Sequence, residues 1–441
     1  MKFFIRTFGC QMNLNESEIM AGLLINEGFE WTENPDEADI IIINSCSVRE
    51  KAENKMYGAI GGYGKLKEKN KNLIIGIGGC SAEKERDALL DRFKKIDFVF
   101  GTRNVIDISN LVKRAMKGER FADFSDKLNE VNYSIPKRPF SKHHAWITII
   151  YGCNKYCTYC IVPYTRGFEK SRPIDDIINE VEEYNKNGFK EITFLGQNVD
   201  SYGKDFGDKK PKLDLLIQKS AQFDSIKRIW FMTSYPSDIT DSLIDTIAKE
   251  KKAAKYIHLP VQSGSNRILK SMNRRYTKEQ FINLVYKIQK EVPNVTISSD
   301  IITGFPSETE EDFEETVDLI KKCRFERINI AEYSPREGTV AHKYFEDNVP
   351  KHIKNKRLQY IMNLQKKINL EENEKYLGKT LSIIQEGKAG KNNTYMGRTI
   401  NNKLIIFQSQ EKLNGSFLKV KVNKVSPGPL YGEIIEIINN I

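Results

Sequence analysis

The chain has 441 residues, enough for about three domains of ordinary size and for a sizeable buried core. No stretch approaches the roughly 18 consecutive apolar residues of a membrane span, and the short apolar start at residues 3–5 lacks the core of a signal peptide. The seven cysteines, widely spaced except for one central triplet, do not form a disulfide framework. Composition thus excludes a membrane or disulfide-rich protein, and the reducing cytoplasm is the expected compartment.

The formal net charge of +10 is unevenly distributed. Residues 376–441 hold nine Lys or Arg and four Asp or Glu, a surplus of five positive charges in about a seventh of the chain. A basic module at one end indicates a polyanionic partner such as nucleic acid. A merely soluble cationic surface is the alternative interpretation.

In the N-terminal third, a predicted strand leads into a cysteine three times. The predicted strands cover residues 3–7, 38–44 and 72–78, and they lead into Cys10, Cys46 and Cys80. Helical patterns at residues 17–27 and 48–69 alternate with them, which predicts a parallel sheet with right-handed crossovers. A fourth strand at 98–101 and a helix ending near residue 118 complete a domain predicted for residues 1–118.

Ligands of parallel sheets bind beyond the carboxyl ends of the strands. Cys10, Cys46 and Cys80 all follow such ends, so we expect them to converge in space. The alternative is coincidence, because a free cysteine is often a small buried hydrophobe. The placement at three strand ends favours a three-cysteine cluster site.

Residues 119–140 have weak periodicity, several charges and Pro136 and Pro139, which predicts a linker. Strand and helix patterns then alternate again through a domain predicted for residues 141–374. Its strands are predicted at 147–150, 191–195, 228–232, 255–258, 296–302 and 327–333. Six such units predict an α/β partial (β/α)6 barrel with its chemistry at the carboxyl ends of the strands.

The first strand of this barrel leads into Tyr151-Gly-Cys-Asn-Lys-Tyr-Cys-Thr-Tyr-Cys160, in which Cys153, Cys157 and Cys160 have C-x3-C-x2-C spacing. Three thiolates can hold three corners of a cubane iron–sulfur cluster and leave the fourth iron free. A structural zinc loop is the alternative, but it needs a fourth ligand. His143 and His144 precede the loop, and Cys323 lies far away in a helical pattern, where it is predicted to be a core residue.

This spacing, with an aromatic residue before the last cysteine, resembles the radical S-adenosylmethionine (SAM) superfamily, in which the open iron binds SAM. Three glycine-containing segments follow predicted barrel strands, at residues 194–198, 260–264 and 300–306. Glycine lets a cofactor approach the backbone closely, although tight turns use it too. The SAM-lining residues are predicted to be Tyr159, Gly196, Gln197, Ser263, Gly264, Asp300 and Gly304.

After a charged helix at about residues 350–374, the tail changes to alternation with period two. Short strands are predicted at 380–385, 395–398, 404–407, 417–422 and 432–437, separated by turn sequences such as Asn414-Gly415. This pattern predicts a small antiparallel barrel of OB type over residues 375–441, a fold often used to bind RNA. A purely structural cap is the alternative.

Taken together, these motifs resemble the MiaB-type tRNA methylthiotransferases over nearly the whole chain, and the tail is similar to a TRAM domain. The motifs are Thr7-Phe-Gly-Cys-Gln-Met-Asn13, Ile43-Asn-Ser-Cys-Ser-Val-Arg-Glu-Lys51, Gly78-Gly-Cys80, the loop 151–167, Leu259-Pro-Val-Gln-Ser-Gly-Ser265, Ser298-Ser-Asp-Ile-Ile-Thr-Gly-Phe-Pro306 and Met396-Gly-Arg-Thr399. Two positions depart from the expected pattern: Tyr235 stands where Ser-His-Pro is usual, and Glu337 replaces a proline. Both concern details of the substrate pocket.

The resemblance implies methylthiolation of C2 of N6-isopentenyladenosine at tRNA position 37. That aromatic C–H bond is neither acidic nor polarised, so no acid/base residue is predicted and a radical route suits it. By resemblance, Cys153, Cys157 and Cys160 hold a [4Fe–4S] cluster exchangeable with SAM. Cys10, Cys46 and Cys80 hold an auxiliary [4Fe–4S] cluster that carries the sulfur, and a second SAM supplies the methyl group.

The resemblance further implies a one-electron reductant such as a flavodoxin or ferredoxin, and a monomer. Two other enzymatic substrates stay open, namely threonylcarbamoyladenosine in tRNA and an aspartate of a ribosomal protein. The motif Gly9-Cys-Gln-Met-Asn13 favours the isopentenyladenosine branch, by family analogy. From another class, a non-catalytic RNA-binding protein stabilised by iron–sulfur clusters is the alternative. Two open cluster positions argue against it, since structural sites are usually closed.

Overall fold

A computed structural model describes residues 1–47, 50–126, 135–390, 392–411 and 413–438. The chain divides into two compact units. The first comprises Met1–Ser141, Trp146–Lys155 and Cys160–Asp176, and the second comprises Lys142–Ala145, Tyr156–Tyr159 and Ile177–Ile441. Within the described residues, none of the helices combines the length and the apolar character that crossing a membrane requires.

A six-stranded parallel sheet forms the centre of the first unit. Its strands are β1 (Lys2–Phe8), β2 (Glu30–Trp31), β3 (Ile40–Ser45), β4 (Ile74–Gly78), β5 (Phe98–Phe100) and β6 (Phe121–Asp123), in the order β2-β1-β3-β4-β5-β6. All five neighbouring pairs are parallel. The isoleucine run of β3 is fully buried, as expected of a parallel strand covered on both faces.

Five helices accompany this sheet: α1 (Gln11–Asn26), α2 (Glu50–Lys69), α3 (Cys80–Glu85), α4 (Ala88–Arg92) and α5 (Ile108–Met116). Met20 of α1 packs into the core on one face, and Met56 of α2 packs into the core on the other. Helix α1 begins at Gln11 rather than at the predicted residue 17, because its first turns bury polar side chains that hide the amphipathic pattern. Residues 48 and 49, predicted to open the second helix, lie outside the described residues.

Part of the predicted linker is regular structure. Phe121–Asp123 forms strand β6, which pairs with β5 at the edge of the sheet. The Arg114 guanidinium lies 3.7 Å from the ring centre of Phe121. Farther along, the backbone N–H of Arg138 donates to the Glu18 carbonyl at 3.0 Å. A three-residue strand is too short to show alternation, which is why the sequence gives no sign of it. Residues 127–134 of the predicted linker lie outside the described residues.

The middle of the chain begins with β7 (His144–Thr148), β8 (Ile150–Tyr151), α6 (Val162–Arg166), β9 (Lys170–Ser171) and α7 (Ile174–Lys186), and β8 pairs with β9. The barrel continues with β10 (Glu191–Leu195), α8 (Leu213–Ser220), β11 (Arg228–Phe231), α9 (Asp241–Lys249), β12 (Tyr256–His258), α10 (Asn266–Ser271), α11 (Lys278–Glu291), β13 (Thr296–Thr303), α12 (Glu310–Cys323), β14 (Arg327–Glu332), α13 (Val340–Tyr344) and α14 (Lys351–Glu374).

These strands confirm the predicted partial (β/α)6 barrel. They form two three-stranded sheets, β11-β10-β7 and β12-β13-β14. The β10–β11, β12–β13 and β13–β14 pairs are parallel, and a parallel bridge links Ile229 of β11 to Ala253, which precedes β12. The loops after β10, β12 and β13 therefore lie at the same edge of the barrel within the second unit.

The tail forms the predicted small barrel. Its strands are β15 (Thr380–Lys388), β16 (Thr394–Arg398), β17 (Leu404–Gln408), β18 (Phe417–Lys424) and β19 (Leu430–Ile438), closed in the order β15-β16-β17-β19-β18. One correction concerns β17 and β19, which pair in parallel while the other neighbours are antiparallel. β19 closes the barrel by pairing with β17, and this pair is parallel because the two strands run in the same direction. Leu418 and Val420 fill the interior.

Candidate functional site

The three N-terminal cysteines follow three neighbouring strands. Cys10 follows β1, Cys46 follows β3 and Cys80 follows β4, and these strands are adjacent in the sheet. The thiol of Cys46 is hydrogen-bonded to the thiols of both Cys10 and Cys80. The side chains thus converge as the strand ends predict, while their role as metal ligands stays a prediction.

Two glycines allow this close approach. Gly79 has φ = 89°, a conformation that side chains other than glycine rarely adopt, and a Cβ there would collide with the Asn44 side chain and the Ser45 backbone. A Cβ on Gly9 would lie 2.8 Å from the Cβ of Cys46. The strand ends can therefore bring the cysteines together only because glycine precedes Cys10 and Cys80.

The environment favours thiolate at two of the three sulfurs. The hydrogen bond from Cys46 lowers the pKa of the Cys10 thiol and also the pKa of the Cys80 thiol. The same contacts raise the pKa of Cys46 itself, and burial adds to that rise. Cys10 is also the N-cap of the 16-residue helix α1, where the helix dipole favours negative charge. These are the conditions in which thiols become metal ligands.

A buried ion pair lies beside these sulfurs. The Arg166 Nε group donates to Cys80 Sγ at 3.1 Å, and its Nη1 group donates to Glu16 Oε1 at 2.6 Å. Burial alone would lower the pKa of Arg166, but the charges of Cys80, Glu16 and Cys10 raise it overall. The third donor, Nη2, is buried and has no hydrogen-bond partner among the described residues. A permanent positive charge with a free N–H group thus faces the three-cysteine site.

This donor set fits an anionic iron–sulfur cluster. In the part of the chain that is described, no three His, Cys, Asp or Glu side chains have the arrangement of a single-ion site. Three thiols and a buried guanidinium fit a larger group whose inorganic sulfides accept N–H donors. With three cysteine ligands, one iron of a cubane would keep an open position.

The central cysteines lie in the loop between β8 and α6, and all three are half-buried. In the first unit, the N–H of Cys153 donates to the carbonyl of Gly167 at 3.1 Å. In the second unit, the turn that carries Cys157 is held by the end of α10: the N–H of Thr158 donates to the Met272 carbonyl at 3.1 Å. The loop is therefore fixed by backbone contacts on both sides of Cys157.

Arg274 is the charged group beside Cys157. Its Nη1 donates to Cys157 Sγ at 3.5 Å, and its guanidinium lies 4.5 Å from the ring centre of Tyr235 and 5.1 Å from that of Tyr276. Tyr235, one of the two departures from the family pattern, is buried and packs against the arginine that contacts the predicted cluster ligand Cys157. Glu337, the other departure, is exposed.

The predicted SAM-lining residues differ in their surroundings. Gly196 and Gln197 directly follow β10, and the ring of Tyr159 packs edge-on against Phe305 at 6.5 Å between ring centres. Asp300, on β13, accepts from Asn329 at 2.8 Å and lies 3.3 Å from the His258 Nε2 atom.

At the other three positions, neighbouring protein already makes close contacts. A Cβ on Gly264 would lie 2.5 Å from the Glu315 carbonyl of α12, and one on Gly304 would collide with Lys354 of α14. Ser263 is fully buried and lies 3.4 Å from the Thr316 hydroxyl. Helix packing alone explains these two glycines, and the assignment of the seven residues to SAM stays a prediction.

Three charged residues beside the predicted cluster cysteines do not stand out in the sequence: Glu16, Arg166 and Arg274. Glu16 and Arg166 are 4% and 5% exposed, unusually low for charged side chains. The available signal was the polar run in the first turns of α1 and the arginine that precedes the last glycine of the motif 151–167. Cys323 is fully buried at the end of α12, and burial raises its pKa to about 12, which confirms it as a core residue.

Three family models match consecutive parts of the chain. Residues 2–101 match the model described as "Uncharacterized protein family UPF0004", residues 147–320 match the radical SAM superfamily, and residues 374–435 match the TRAM domain. Two solved radical SAM proteins have a similar fold. TsrM from Kitasatospora setae has a TM-score of 0.56 at 13% identity, covering 75% of this chain and 74% of its own. OxsB has a TM-score of 0.54 at 12% identity, covering 83% and 56%.

Curated relatives match over the full length. The tRNA-2-methylthio-N(6)-dimethylallyladenosine synthase of Petrotoga mobilis is 82% identical over 435 residues, 99% of each chain. The enzyme of the same name from Thermotoga petrophila is 55% identical, covering 99% of this chain and 97% of its own. Fold and site thus define a radical SAM protein with a TRAM domain, which implies SAM and a [4Fe–4S] cluster. Within that class, the chain belongs to the family of tRNA-2-methylthio-N(6)-dimethylallyladenosine synthases, the MiaB-type methylthiotransferases.

Proposed function

We propose that this protein methylthiolates C2 of N6-isopentenyladenosine at tRNA position 37. The name shared by its full-length relatives supports the substrate. The observation that carries the proposal is the meeting of Cys10, Cys46 and Cys80 in a domain separate in sequence from the radical SAM loop. A radical enzyme that only cleaves SAM needs one cluster, whereas sulfur insertion needs a second site to hold sulfur.

Residues of the central loop would generate the radical. Cys153, Cys157 and Cys160 would hold a [4Fe–4S] cluster, and SAM bound at its open iron would supply a 5′-deoxyadenosyl radical on reduction. Arg274 would fix the orientation of the Cys157 thiolate through its hydrogen bond, since two tyrosine rings hold the guanidinium in place. The chain itself therefore supplies positioning and charge rather than acid/base catalysis.

Residues of the N-terminal domain would hold the sulfur. Cys10, Cys46 and Cys80 would ligate an auxiliary [4Fe–4S] cluster, and Arg166 would balance part of its negative charge. Glu16 accepts from the Nη1 group of Arg166, while Cys80 accepts from its Nε group. A second SAM molecule would supply the methyl group.

The tail barrel would bind the tRNA. Lys421 and Lys424 are exposed on β18, and the Lys424 ammonium lies 5.6 Å from the ring centre of Tyr431. Cations next to an aromatic ring suit the phosphates and bases of RNA. We further propose a cytoplasmic monomer that takes its electrons from a flavodoxin or ferredoxin.

The decisive experiment supplies the anaerobically reconstituted protein with SAM, a reductant and tRNA that carries N6-isopentenyladenosine. About eight irons per chain are expected, four for each cubane. Mass spectrometry of nucleosides should show a methylthio group in place of one hydrogen, and tRNA with unmodified adenosine should give none. If methylthiolated product formed only with tRNA that carries threonylcarbamoyladenosine, that nucleoside would be the substrate instead. If no 5′-deoxyadenosine formed, a non-catalytic RNA-binding protein would be favoured.

The RNA-binding part has its own test. Changing both Lys421 and Lys424 to Gln should reduce the salt dependence of tRNA binding, the slope of log K against log salt, by about 1.5. A matched control changes Lys219 and Lys290, which are also exposed and lie on α8 and α11. If the slope of log K against log salt were equal in the two double variants, this face of the barrel would be excluded as the tRNA-binding surface.

A further inference from the structure

A small pocket at the turn between α10 and α11 is lined by positive charge. Its cavity is about 400 Å³, within the range of ligand sites, and its lining includes Lys270, Arg274 and Arg275. None of the described residues that line it is an aspartate or a glutamate. All of its lining residues belong to the second unit. A cavity of this composition favours an anionic ligand.

Two of the cations in this segment have no partner in the protein. Residues 267–278 contain five Lys or Arg, and three of them are held by carboxylate, sulfur or carbonyl groups. These three are Arg267 with Asp312, Arg274 with Cys157 and Pro260, and Lys278 with Glu315 and Asp318. Lys270 and Arg275 are exposed, and neither side chain makes an ion pair or a hydrogen bond within the described part of the chain. An exposed cation is ordinary by itself, but two that line one cavity are available to the same ligand.

The backbone that carries these two cations is fixed by its own hydrogen bonds. Helix α10 ends where Asn273 adopts the left-handed conformation, at φ = 56°. The Asn273 N–H donates to the Lys270 carbonyl at 3.0 Å, and the Arg274 N–H donates to the Leu269 carbonyl at 2.8 Å. This turn brings Lys270 in the last turn of the helix and Arg275 beyond it to one cavity. A ligand therefore binds there without the entropy cost of ordering the loop.

The same turn is joined to the central cysteine loop. The Thr158 hydroxyl donates to the Ser271 carbonyl at 2.9 Å, and the Asn273 side chain donates to the Tyr156 carbonyl at 2.9 Å. Cys157 lies between these two residues of the loop. An anion in the pocket consequently has a fixed position relative to a predicted ligand of the central cluster.

We propose that Lys270 and Arg275 bind a backbone phosphate of the tRNA anticodon loop, and that this contact sets the position of the strand relative to the central cluster. A loop presents single phosphates, which guanidinium and ammonium groups bind directly. An acidic protein would present a broad surface instead, so a pocket for one anionic group favours RNA. This inference rests on the proposed function, because it takes the anion from the proposed substrate. The contact forms and breaks no covalent bond.

The first measurement is tRNA binding by the full-length, anaerobically reconstituted protein at several salt concentrations. The double variant Lys270→Gln, Arg275→Gln should bind about tenfold more weakly, the loss of a charge-assisted contact. Its slope of log K against log salt should fall by about 0.7, as expected for one phosphate of a single strand. The single variant Arg275→Lys keeps the charge but not the planar fork, so it should keep the slope and lose part of the affinity.

The matched control is the double variant Lys219→Gln, Lys290→Gln. It removes the same charge from two exposed positions on α8 and α11 that do not line the pocket. Because exposed charges are screened by salt beyond about 8 Å, its tRNA affinity should change less than about twofold.

A second measurement identifies the group that the pocket binds. The phosphates of the anticodon loop are replaced one at a time by neutral methylphosphonates. One replacement should weaken binding to the unchanged protein about tenfold and should have little further effect in the Lys270, Arg275 double variant, because both changes remove the same interaction. A general structural defect would not abolish the sensitivity to one phosphate alone. Iron content and unfolding temperature should equal those of the unchanged protein, since neither side chain has a partner to lose.

Three results would overturn the inference. If the two double variants bound tRNA equally well, the pocket would not contact the RNA. If every methylphosphonate kept its full effect in the Lys270, Arg275 variant, the pocket would bind no phosphate of the loop. Unchanged tRNA binding together with slower reduction by flavodoxin would assign the pocket to an acidic protein. The proposed function fails separately, because binding is measured without turnover and tRNA with unmodified adenosine should show the same dependence on the phosphate.

Discussion

The N-terminal cysteines come from three strand ends spread over residues 10–80, whereas the central cysteines lie within eight consecutive residues of one loop. Cys46 and Cys80 are each 2% exposed, whereas Cys10 and the central three cysteines are half-buried. The first site exists only when β1, β3 and β4 have paired, so its geometry depends on the long-range fold. The second site is local in sequence, and neighbouring backbone contacts then fix its loop.

This difference fits a division of labour. A radical source must admit SAM and an electron, so a loop at the edge of the barrel strands suits it. A sulfur store must keep its anionic contents from solvent, and a site in which two of three cysteines and the guanidinium are buried suits that task. The comparison therefore predicts that the two sites fail in different ways when they are damaged.

The largest expected effect comes from removing one thiol at each site. Cys157→Ala should abolish both 5′-deoxyadenosine and methylthiolated tRNA, because the central cluster would lose one of three protein ligands. Cys46→Ala should abolish methylthiolated tRNA while SAM cleavage persists, because the central loop is intact. The measurement is the ratio of 5′-deoxyadenosine to modified nucleoside in each variant.

Cys323→Ala is the matched control, since it removes a buried thiol that lies in neither group. It should keep both products at yields set only by its stability. Near wild-type methylthiolation by the Cys46 variant would mean that the N-terminal centre takes no part in the reaction. The proposed difference in role between the two sites would then be wrong.

The sequence predicted long elements better than short ones. β10 was predicted at 191–195 and is observed there, because four apolar or β-branched residues follow one another at 192–195 in a continuous buried run. β2, β6 and β9 have two or three residues each and show no period at all. Their existence depends on neighbouring strands rather than on their own residues.

The same contrast holds for the site. Spacing marked the central cysteines, and placement at strand ends marked the N-terminal ones. Arg166 lies 86 positions from Cys80, and an isolated arginine outside any predicted strand or helix normally indicates a solvated side chain. Only the fold shows that it is buried against a thiol. Glu16 was hidden for a related reason, because a carboxylate on a helix is usually exposed.

Acid should destabilise the fold through His144, on the strand β7 that precedes the central loop. All five histidines lie at or beyond residue 143. Burial, helped by the nearby His143, lowers the pKa of His144 to about 3, and its Nε2 lies 2.7 Å from the Thr193 hydroxyl. Below the unfolded pKa of about 6.5, the unfolded chain binds a proton that the folded chain does not, so stability falls as the pH drops towards 3.

At pH 5 this histidine should cost about 2 kcal/mol of stability relative to pH 7 and above. His144→Gln keeps a hydrogen-bonding side chain next to Thr193 but does not titrate. Thermal unfolding at pH 7 and pH 5 should therefore show a smaller loss in the variant, by about that amount. His352→Gln, on α14, is the control. An equal loss in all three proteins would contradict the assignment to His144.

A chelator should remove iron from the central cluster faster than from the N-terminal cluster. Iron can leave the half-buried central loop through local opening, whereas release from the N-terminal centre requires the strand ends to part. A difference of about 1.4 kcal/mol in opening cost makes the central cluster about tenfold faster to lose its iron. Rates of iron release from Cys157→Ala and Cys46→Ala, each holding one cluster, measure this directly. Faster iron release from the N-terminal centre would contradict the expectation that its site opens less readily than the central loop.

The smallest effect is expected at Tyr235, where this chain departs from its family. The Tyr235 hydroxyl accepts the N–H of Arg275 at 3.3 Å, a long bond, while its ring supports the Arg274 guanidinium beside Cys157. Tyr235→Phe removes only the hydroxyl, so the central cluster should lose iron less than about fivefold faster, within one ordinary hydrogen bond.

Tyr235→Ala removes the ring as well, and the loss of a buried aromatic packed on a cation should speed release from the central cluster well beyond that. In both variants the N-terminal cluster should release iron at the unchanged rate, because Tyr235 and Arg274 belong to the second unit, whereas Cys10, Cys46 and Cys80 belong to the first. If Phe and Ala had the same effect, the hydroxyl rather than the ring would hold Arg274, and the cysteine loop would depend on one weak hydrogen bond. If the same variant changed iron release from both clusters alike, the two sites would not be independent. The central site would then not depend on its own loop contacts alone.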